Sequence, residues 1–508
     1  MSNPDSMNYY MGIDIGTGGC KAAVFDVDGH QISMSYRDYN IISLYPGWAE
    51  LDTGEIMAKC FDAIRESASA LKNGTIKGMG ISSQGEAFTL IDSKGNALCN
   101  ALVSSDSRAN EMIKPFTEKF GEEKLYRITG HTPHPMFSLF KLLWIQEKLP
   151  DIWSKADKIL CLEDLLQYRL GIKNPSMGWS LAGRTMLFDV SVHKWSSTIL
   201  NQARVKAEQL SNPLPSGSVA GYVAKETAIE LNLTENTFVV TGGHDQTCSA
   251  LGAGAIESGI AVYTSGTVEC ITPAFKKPVF TEDLRKNNLC TYDHTAPGLY
   301  ATVAFSLTGG NLLKWFRNEF GAEESEQARK SDADPYDLLL EKMPETPSRL
   351  IVLPYFTPSG TPHFDVSVKG AIFGLDLTVS KSEILKALLE GVALEMRLNL
   401  DILAKSGYQV NELRLIGGGA SSAKLIQLKS DVIGMPISTM DIKEAGCLGA
   451  AILARAADTK EIIADIVKTW VRPVLNFHPH HASHFQEKFA DYKKIYPALK
   501  ALFPGGIN

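Results

Sequence analysis

Three glycine-rich turns, each preceded by a short apolar strand, constrain this chain more than any other feature. The first is Gly12-Ile13-Asp14-Ile15-Gly16-Thr17-Gly18-Gly19, the second Ala261-Val262-Tyr263-Thr264-Ser265-Gly266-Thr267, the third Leu413-Arg414-Leu415-Ile416-Gly417-Gly418-Gly419-Ala420. Glycine lets backbone N–H groups approach an anion closely and adopts positive φ without a Cβ penalty. Thr17, Ser265 and Thr267 add hydroxyl donors. One such turn carries little weight. Three of them, the first with an acidic residue and a hairpin pattern behind it, point to a nucleotide held between two halves of the molecule.

A chain of 508 residues is too long for one core, and two domains are expected. The pattern of the N-terminus restarts after Gly252–Ser258, which divides the chain into residues 1–253 and 254–508. A 44% apolar and 21% charged composition is that of an ordinary globular protein. A net charge of −7 gives no reason to expect nucleic acid or an anionic membrane as partner. The eight cysteines are scattered with no CxxC pair, so they read as reduced, buried small hydrophobes. The polar N-terminus lacks the apolar core of a signal peptide, and no run is long enough to span a membrane. A cytoplasmic location is the resulting expectation.

Period-two apolar runs predict strands over Tyr9–Ile15, Lys21–Asp26, Gln31–Tyr39, Ile76–Ser82 and Ala87–Ile91, with Asp28-Gly29 as a hairpin turn. Helical spacing covers Thr53–Lys72, Phe137–Glu147 and Leu162–Arg169. A buried strand, Phe238–Thr241, runs into Gly242-Gly243-His244-Asp245 and a helical stretch, Gln246–Leu251. The restart consists of strands over Ile260–Thr264, Gly266–Thr272 and Leu299–Val303. A long amphipathic helix over Lys381–Leu403, a strand over Leu413–Ile416, a helix over Ser422–Val432 and an alanine-rich helix over Glu444–Ala457 complete it. The fold expected is α/β, two related halves with a central cleft.

Asp14 opens the first turn. A carboxylate beside a phosphate loop repels the anion unless a divalent cation intervenes, and Mg²⁺ favours oxygen ligands and retained water. Asp14 is therefore a candidate Mg²⁺ holder, with a turn-stabilising aspartate as the alternative. Lys21 follows the turn and could reach phosphate, but the solvated strand lysine is the favoured reading. Asp245 ends a strand at the mouth of a cleft. There it could take the proton of a hydroxyl attacking phosphorus, or simply cap the helix that follows. Gln84, Glu86, Asp106 and Arg108 are polar groups that could hydrogen-bond a polyol. Trp48 and Trp179 could stack on a sugar ring or pack in a core. His478, His480, His481 and His484 cluster near the C-terminus, with His480 and His484 at the spacing of one helix face, a conceivable metal site.

Taken together these motifs resemble the FGGY carbohydrate kinases over nearly the whole chain. Gly12–Thr17 is similar to that family's opening phosphate motif, and Pro46-Gly47-Trp48-Ala49-Glu50 to its Pro-x-Trp-x-Glu segment. Met136–Lys148 resembles the first family signature, including Lys141 and Trp144, with Lys148 departing from it. Gly370–Glu390 resembles the second, with Leu388 off pattern. Gly242-Gly243-His244-Asp245-Gln246 matches the stretch that holds the family's catalytic aspartate, and Gly417–Ala420 its adenosine-binding turn. The resemblance implies two ribonuclease-H-like domains of the actin/hexokinase ATPase type, with sugar mainly on the first and ATP on the second. It implies Asp245 as base, Asp14 positioning Mg²⁺, and Gly16, Thr17, Gly266 and Thr267 on the phosphates. It places Gly309 and Gly310 near the nucleotide, Gly418, Gly419 and Ala420 over adenosine, and Gln84, Gly85, Glu86, Asp106, Asp245 and Gln246 at the sugar. Dimers are common in that family, although no interface signature marks a homodimer here.

The acceptor implied is a sugar or polyol. Gly85 and Ser104 stand where relatives carry large side chains, and Met136 replaces a tyrosine of the glycerol kinases. The glycine and serine imply an enlarged pocket and a ketopentose, deoxyketohexose or similar polyol rather than glycerol, and the xylulokinase-like tail at Tyr492–Phe503 favours a ketopentose such as xylulose. Deoxyketohexose, ribulose, gluconate and glycerol are the alternatives within the family. A non-kinase actin-like ATPase and a catalytically silent sugar sensor are the alternatives outside it.

Overall fold

The structure is a computed structural model that describes residues 7–503; residues 1–6, most of the polar N-terminal stretch, lie outside them. Two sheets carry the architecture. In the first, strands lie in the order Val219–Tyr222, Phe238–His244, Thr75–Ser83, Asn8–Ile15, Gly19–Phe25, Gln31–Asp38. The last three form an antiparallel meander, and Asn8–Ile15 runs parallel to Thr75–Ser83. The second sheet repeats this plan. Ile260–Ser265 pairs antiparallel with Glu269–Phe275 and parallel with Glu412–Ile416, which is parallel to Ile437–Met440. This is a two-domain α/β fold of the hexokinase/actin-like ATPase type.

The glycine turns sit at equivalent places in the two sheets. Ile15 pairs with Cys20 across the first turn, and Ser265 with Glu269 across the second. The second strand of the repeat therefore starts at Glu269, not at Gly266 as expected. Gly266–Val268 is the turn itself, closed by the Gly266 N–H donating to the Val268 carbonyl at 3.1 Å. The strand expected over Leu299–Val303 is also two pieces, Tyr300–Ala301 and Ala304–Ser306. The Val303 N–H donates to Cys290 Sγ at 3.4 Å instead of to a neighbouring strand. The helix expected to reach Lys72 ends at Ser69, ahead of a turn in which Gly74 has φ +96°.

The halves share a core. Tyr10, Phe25 and Val240 from the first sheet pack with Leu251, Cys447 and Ile452 from the helices Asp245–Gly252 and Ala445–Thr459. The second helix lies directly on the first strand: a methyl group on Gly12 would fall 1.7 Å from the Cys447 carbonyl oxygen. Lys21 belongs to this contact. It is not solvated as expected, since its Nζ lies 2.5 Å from Glu444 Oε2, an ion pair joining residues from the two halves.

Candidate active site

Two cavities lie on either side of the second glycine turn. One, of about 560 Å³, lies wholly within the second half and is lined by Gly266, Thr267, Gly309, Gly310, Gly418 and Gly419. The other, of about 260 Å³, takes residues from both halves, among them Thr17, Gln84, Glu86, Asp245 and Val268. The second turn thus lines both, through Thr267 on one side and Val268 on the other.

The larger cavity is walled by the second and third glycine turns. The helix Gly310–Phe320 begins at its wall with its first N–H groups already paired, Gly309 N–H donating to Asn311 Oδ1 at 2.8 Å and Leu312 N–H to the Gly309 carbonyl at 3.0 Å. The Gly310 N–H is tied to the Gly266 carbonyl at 2.8 Å and the Asn311 N–H to the Thr267 carbonyl at 3.2 Å, which fixes this helix to the second turn. Below them runs a buried polar network that the sequence reading missed. Lys429 Nζ lies 2.7 and 2.6 Å from the two Glu269 oxygens and 3.0 Å from the Tyr263 hydroxyl, and Ser265 Oγ donates to Glu269. Ala420 does not line the cavity as expected. It packs against the core of the second sheet, and Ser421 and Ser422 face the space instead.

Asp245 stands at the wall of the smaller cavity, its side chain 26% exposed. It is the first residue of its helix and not the cap, which is His244. Its position depends on an irregular strand end. The register slips between Val240 and Gly243, and Gly243 has φ +151° with Ser180 Oγ 2.0 Å from where a Cβ would lie. No larger residue fits there. Glu163, missed in the sequence, holds the approach to this bend by accepting from the Gly242 N–H at 2.8 Å. Burial, with the charges of Asp14 and Glu86, pushes the Asp245 carboxyl up to about 7. A base poised near neutral pH is suited to proton transfer.

Asp14, on the first strand, lines neither cavity. Its Oδ1 accepts from Ser82 Oγ at 2.6 Å, while Oδ2 forms no hydrogen bond among the described residues. Burial raises its pKa, and the Ser82 hydrogen bond and Lys21 pull the other way. Glycine at 446 is what admits it, since a Cβ there would lie 3.0 Å from the Asp14 Cγ. An oxygen-only, partly unsatisfied carboxylate fits an ion such as Mg²⁺.

The polyol contacts divide. Gln246 lines the smaller cavity with its Oε1 buried and unpartnered, and a buried orphan acceptor calls for a donor. Gln84 also lines it, but its amide is tied to the first turn, donating to the Gly16 carbonyl at 3.1 Å and accepting from Thr17 Oγ1 at 3.2 Å. Glu86, a non-glycine residue at φ +61°, is paired with the guanidinium of Arg184. Arg184 Nη1 in turn lies 3.1 Å from His131 Nε2, whose other ring nitrogen is 2.7 Å from the Thr129 carbonyl. A carbonyl only accepts, so Nδ1 carries the proton and Nε2 accepts from Arg184. Arg184 was missed in the sequence. Its signal was a lone arginine in the apolar run Leu181–Phe188, which must find a partner if buried.

Several expected contacts are not at the cavity wall. Asp106 does not line it: its oxygens accept from the Ala49 N–H at 2.7 Å and from Arg108. Arg108 lies over the Trp48 ring at 3.7 Å, and Trp179 stacks on His193 at 3.9 Å. Both tryptophans are thus packing groups. Lys141, from the first signature, is buried and donates to the carbonyls of Glu86, Leu102 and Val103, so it clamps backbone beneath the cavity. Gly85 lines the cavity, but its lack of a side chain does not open free space there. The space beside it is filled by the His244 imidazole, 2.9 Å from where a Cβ would lie. Ser104 and Met136 do line the cavity. The C-terminal histidines do not share a helix face, because the helix begins only at His484. Among the described residues, the one trio at metal-binding distance is Asp26, Asp28 and His30 on the first hairpin. There Asp26 Oδ1 is occupied by the N–H groups of Asp28 and His30.

Comparison with known proteins agrees with this geometry. The profile of the N-terminal domain of the FGGY family of carbohydrate kinases matches residues 9–252, and that of its C-terminal domain residues 261–457. A xylulose kinase of Bacillus subtilis (strain 168) is 27% identical over 503 residues, covering 98% of each chain. An autoinducer-2 kinase of Enterobacter sp. (strain 638) is 30% identical over 467 residues, covering 88% of this chain and 86% of its own. The crystal structure of a gluconate kinase from Lactobacillus acidophilus superposes with a TM-score of 0.89 at 25% identity, over 98% of this chain and 99% of its own. No helix among the described residues is long and apolar enough to cross a membrane. With both domain profiles matched in order over most of its length, the chain belongs to the FGGY family of carbohydrate kinases.

Proposed function

We propose that this kinase transfers the γ-phosphoryl group of ATP to a hydroxyl of a ketopentose such as xylulose. The observation that carries the reading is the placement of the Asp245 carboxylate. It opens into a sugar-sized cavity next to the turn that also walls the larger, nucleotide-sized one. Asp245 would accept the hydroxyl proton as that oxygen bonds to phosphorus and the bond to the ADP oxygen breaks. Thr267, Gly309 and Gly310 would hold the phosphates, and Gly418 and Gly419 the adenosine. Bound Mg²⁺ would offset phosphate charge, with Asp14 as its holder and Ser82 orienting that carboxylate. Gln246 supplies an unpaired acceptor for a sugar hydroxyl. The similarity to xylulose kinases over nearly the full chain supports the ketopentose.

A second acceptor class has one observation in its favour. The wall contributed by the second half is apolar apart from Asn288, with Cys270, Val303, Phe305 and Phe364, which suits a sugar with a methyl end, such as a deoxyketohexose. An ADP-release assay over ketopentoses, deoxyketohexoses, sugar acids and polyols tests both. Preference for a ketopentose supports the first reading and for a deoxyketohexose the second. Preference for glycerol, or ATP turnover indifferent to added sugar, overturns both.

A further inference from the structure

The residue before the base has no role in the reading above, yet it touches the base. His244 is buried, and its Nε2 lies 3.2 Å from Asp245 Oδ1, within reach of a hydrogen bond though not aligned as one. Its Nδ1 lies 2.8 Å from the hydroxyl of Tyr292, a fully buried residue of the second half. Tyr292 is the only hydrogen-bond partner of Nδ1 among the described residues. Gly85 leaves room for the ring, since a Cβ there would lie 2.9 Å from it.

We infer that Tyr292 and His244 form a relay between the two halves that orients the Asp245 carboxylate for proton transfer. The relay rests on the reading of Asp245 as the base. Its logic is that of tautomers. A carboxylate accepts, so the favourable imidazole is the one with its proton on Nε2, and Nδ1 then accepts from the Tyr292 O–H. Burial, with Arg184 and His131 nearby, keeps His244 neutral, and burial keeps the Tyr292 phenol protonated. Because Tyr292 and Asp245 come from different halves, the relay aligns only when the halves are correctly docked. Apo contacts of this kind are commonly long and tighten on substrate binding. Asp245 is also faced by Asp14 from the first strand and by Glu86 and Arg184 across the cavity, none of which the variants below alter.

Without the tyrosine, the imidazole loses the bond that fixes its orientation and can swing its Nε2–H away from Asp245, and a carboxylate that loses a donor favours its protonated form. Tyr292→Phe is therefore expected to raise the midpoint of the acidic limb of kcat/KM by about one pH unit, with about tenfold more loss at pH 6 than at pH 8.5. His244→Gln keeps an N–H near Asp245 and should hold the midpoint, whereas His244→Leu should raise it. Nitrogen-15 NMR of the imidazole should show a proton on Nε2 in the wild type, and an Nδ1 resonance that loses its hydrogen-bond shift in Tyr292→Phe. Melting temperatures separate these effects from unfolding. A midpoint unmoved in Tyr292→Phe and His244→Leu overturns the relay, as does equal behaviour of the Gln and Leu variants. Asp245→Asn separates the two readings. If it keeps its phosphorylation rate, the base falls and the relay with it. If it is inactive while the midpoint of Tyr292→Phe stays put, the relay alone falls.

Discussion

Replacing Asp245 by asparagine should abolish turnover and, in the same step, stabilise the apo protein at alkaline pH. The carboxyl is pushed from 3.8 to about 7, chiefly by burial. That displacement spans about three decades of proton affinity, or roughly 4 kcal/mol at about 1.4 kcal/mol per decade. The sign follows from the folded value lying above the unfolded one. Below pH 3.8 the group is protonated in both states and costs nothing. As pH rises towards 7 the unfolded chain releases its proton first, so folding loses stability, and above 7 the full penalty stands. Asparagine is neutral throughout and nearly isosteric. The difference in stability between variant and wild type should thus be near zero at pH 4 and greatest at pH 8. With an unfolding entropy of about 2.1 cal/mol/K per residue, 4 kcal/mol corresponds to about 4 °C in Tm for a chain this size, as an upper bound. Differential scanning fluorimetry at pH 4, 6 and 8 reads the shift, and an ADP-release assay reads the activity. An asparagine variant no more stable than wild type at pH 8 would refute the claim that this carboxylate is held, at a cost in stability, in a desolvated position.

The same displacement predicts that kcat/KM for the sugar at subsaturating ATP falls about tenfold per pH unit below a midpoint near 7; a flat profile down to pH 5 would exclude Asp245 as the titrating base. Gly446→Ala places a methyl 3.0 Å from the Asp14 Cγ, so the Mg²⁺ concentration for half-maximal rate should rise with little change in sugar KM. An unchanged Mg²⁺ requirement would separate Asp14 from the metal. Lys429→Met leaves the buried Glu269 carboxylate without its cation, at a cost of about 3–5 kcal/mol. Thermal unfolding should show the loss, and the KM for ATP should rise more than that for sugar if this network holds the second turn.

Much of the candidate site was legible because its signals are local. Asp14, Thr17, Gly266, Thr267 and Asp245 each sit beside a glycine turn at the end of an apolar strand, and that pattern is complete within a few residues. The errors came where a residue's use depends on its neighbours in space. Asp106 looked free, but its oxygens are taken up by Ala49 and Arg108. Gly85 looked like an empty place, but an imidazole fills it. Trp48 and Trp179 looked like sugar platforms, and one lies under an arginine while the other stacks on a histidine.

The sequence by itself determined the repeated strand–turn–strand units, the two-half architecture and the family, because hydrogen-bonding period, turn chemistry and motif order are properties of adjacent residues. Only the tertiary structure decided the pairings: Lys21 with Glu444, Arg184 with Glu86, Tyr292 with His244. These partners lie 423, 98 and 48 residues apart. Nothing in their spacing marks them as neighbours. What joins them is burial, which makes an unpaired charge or polar group costly and leaves it to the folded chain to supply the mate.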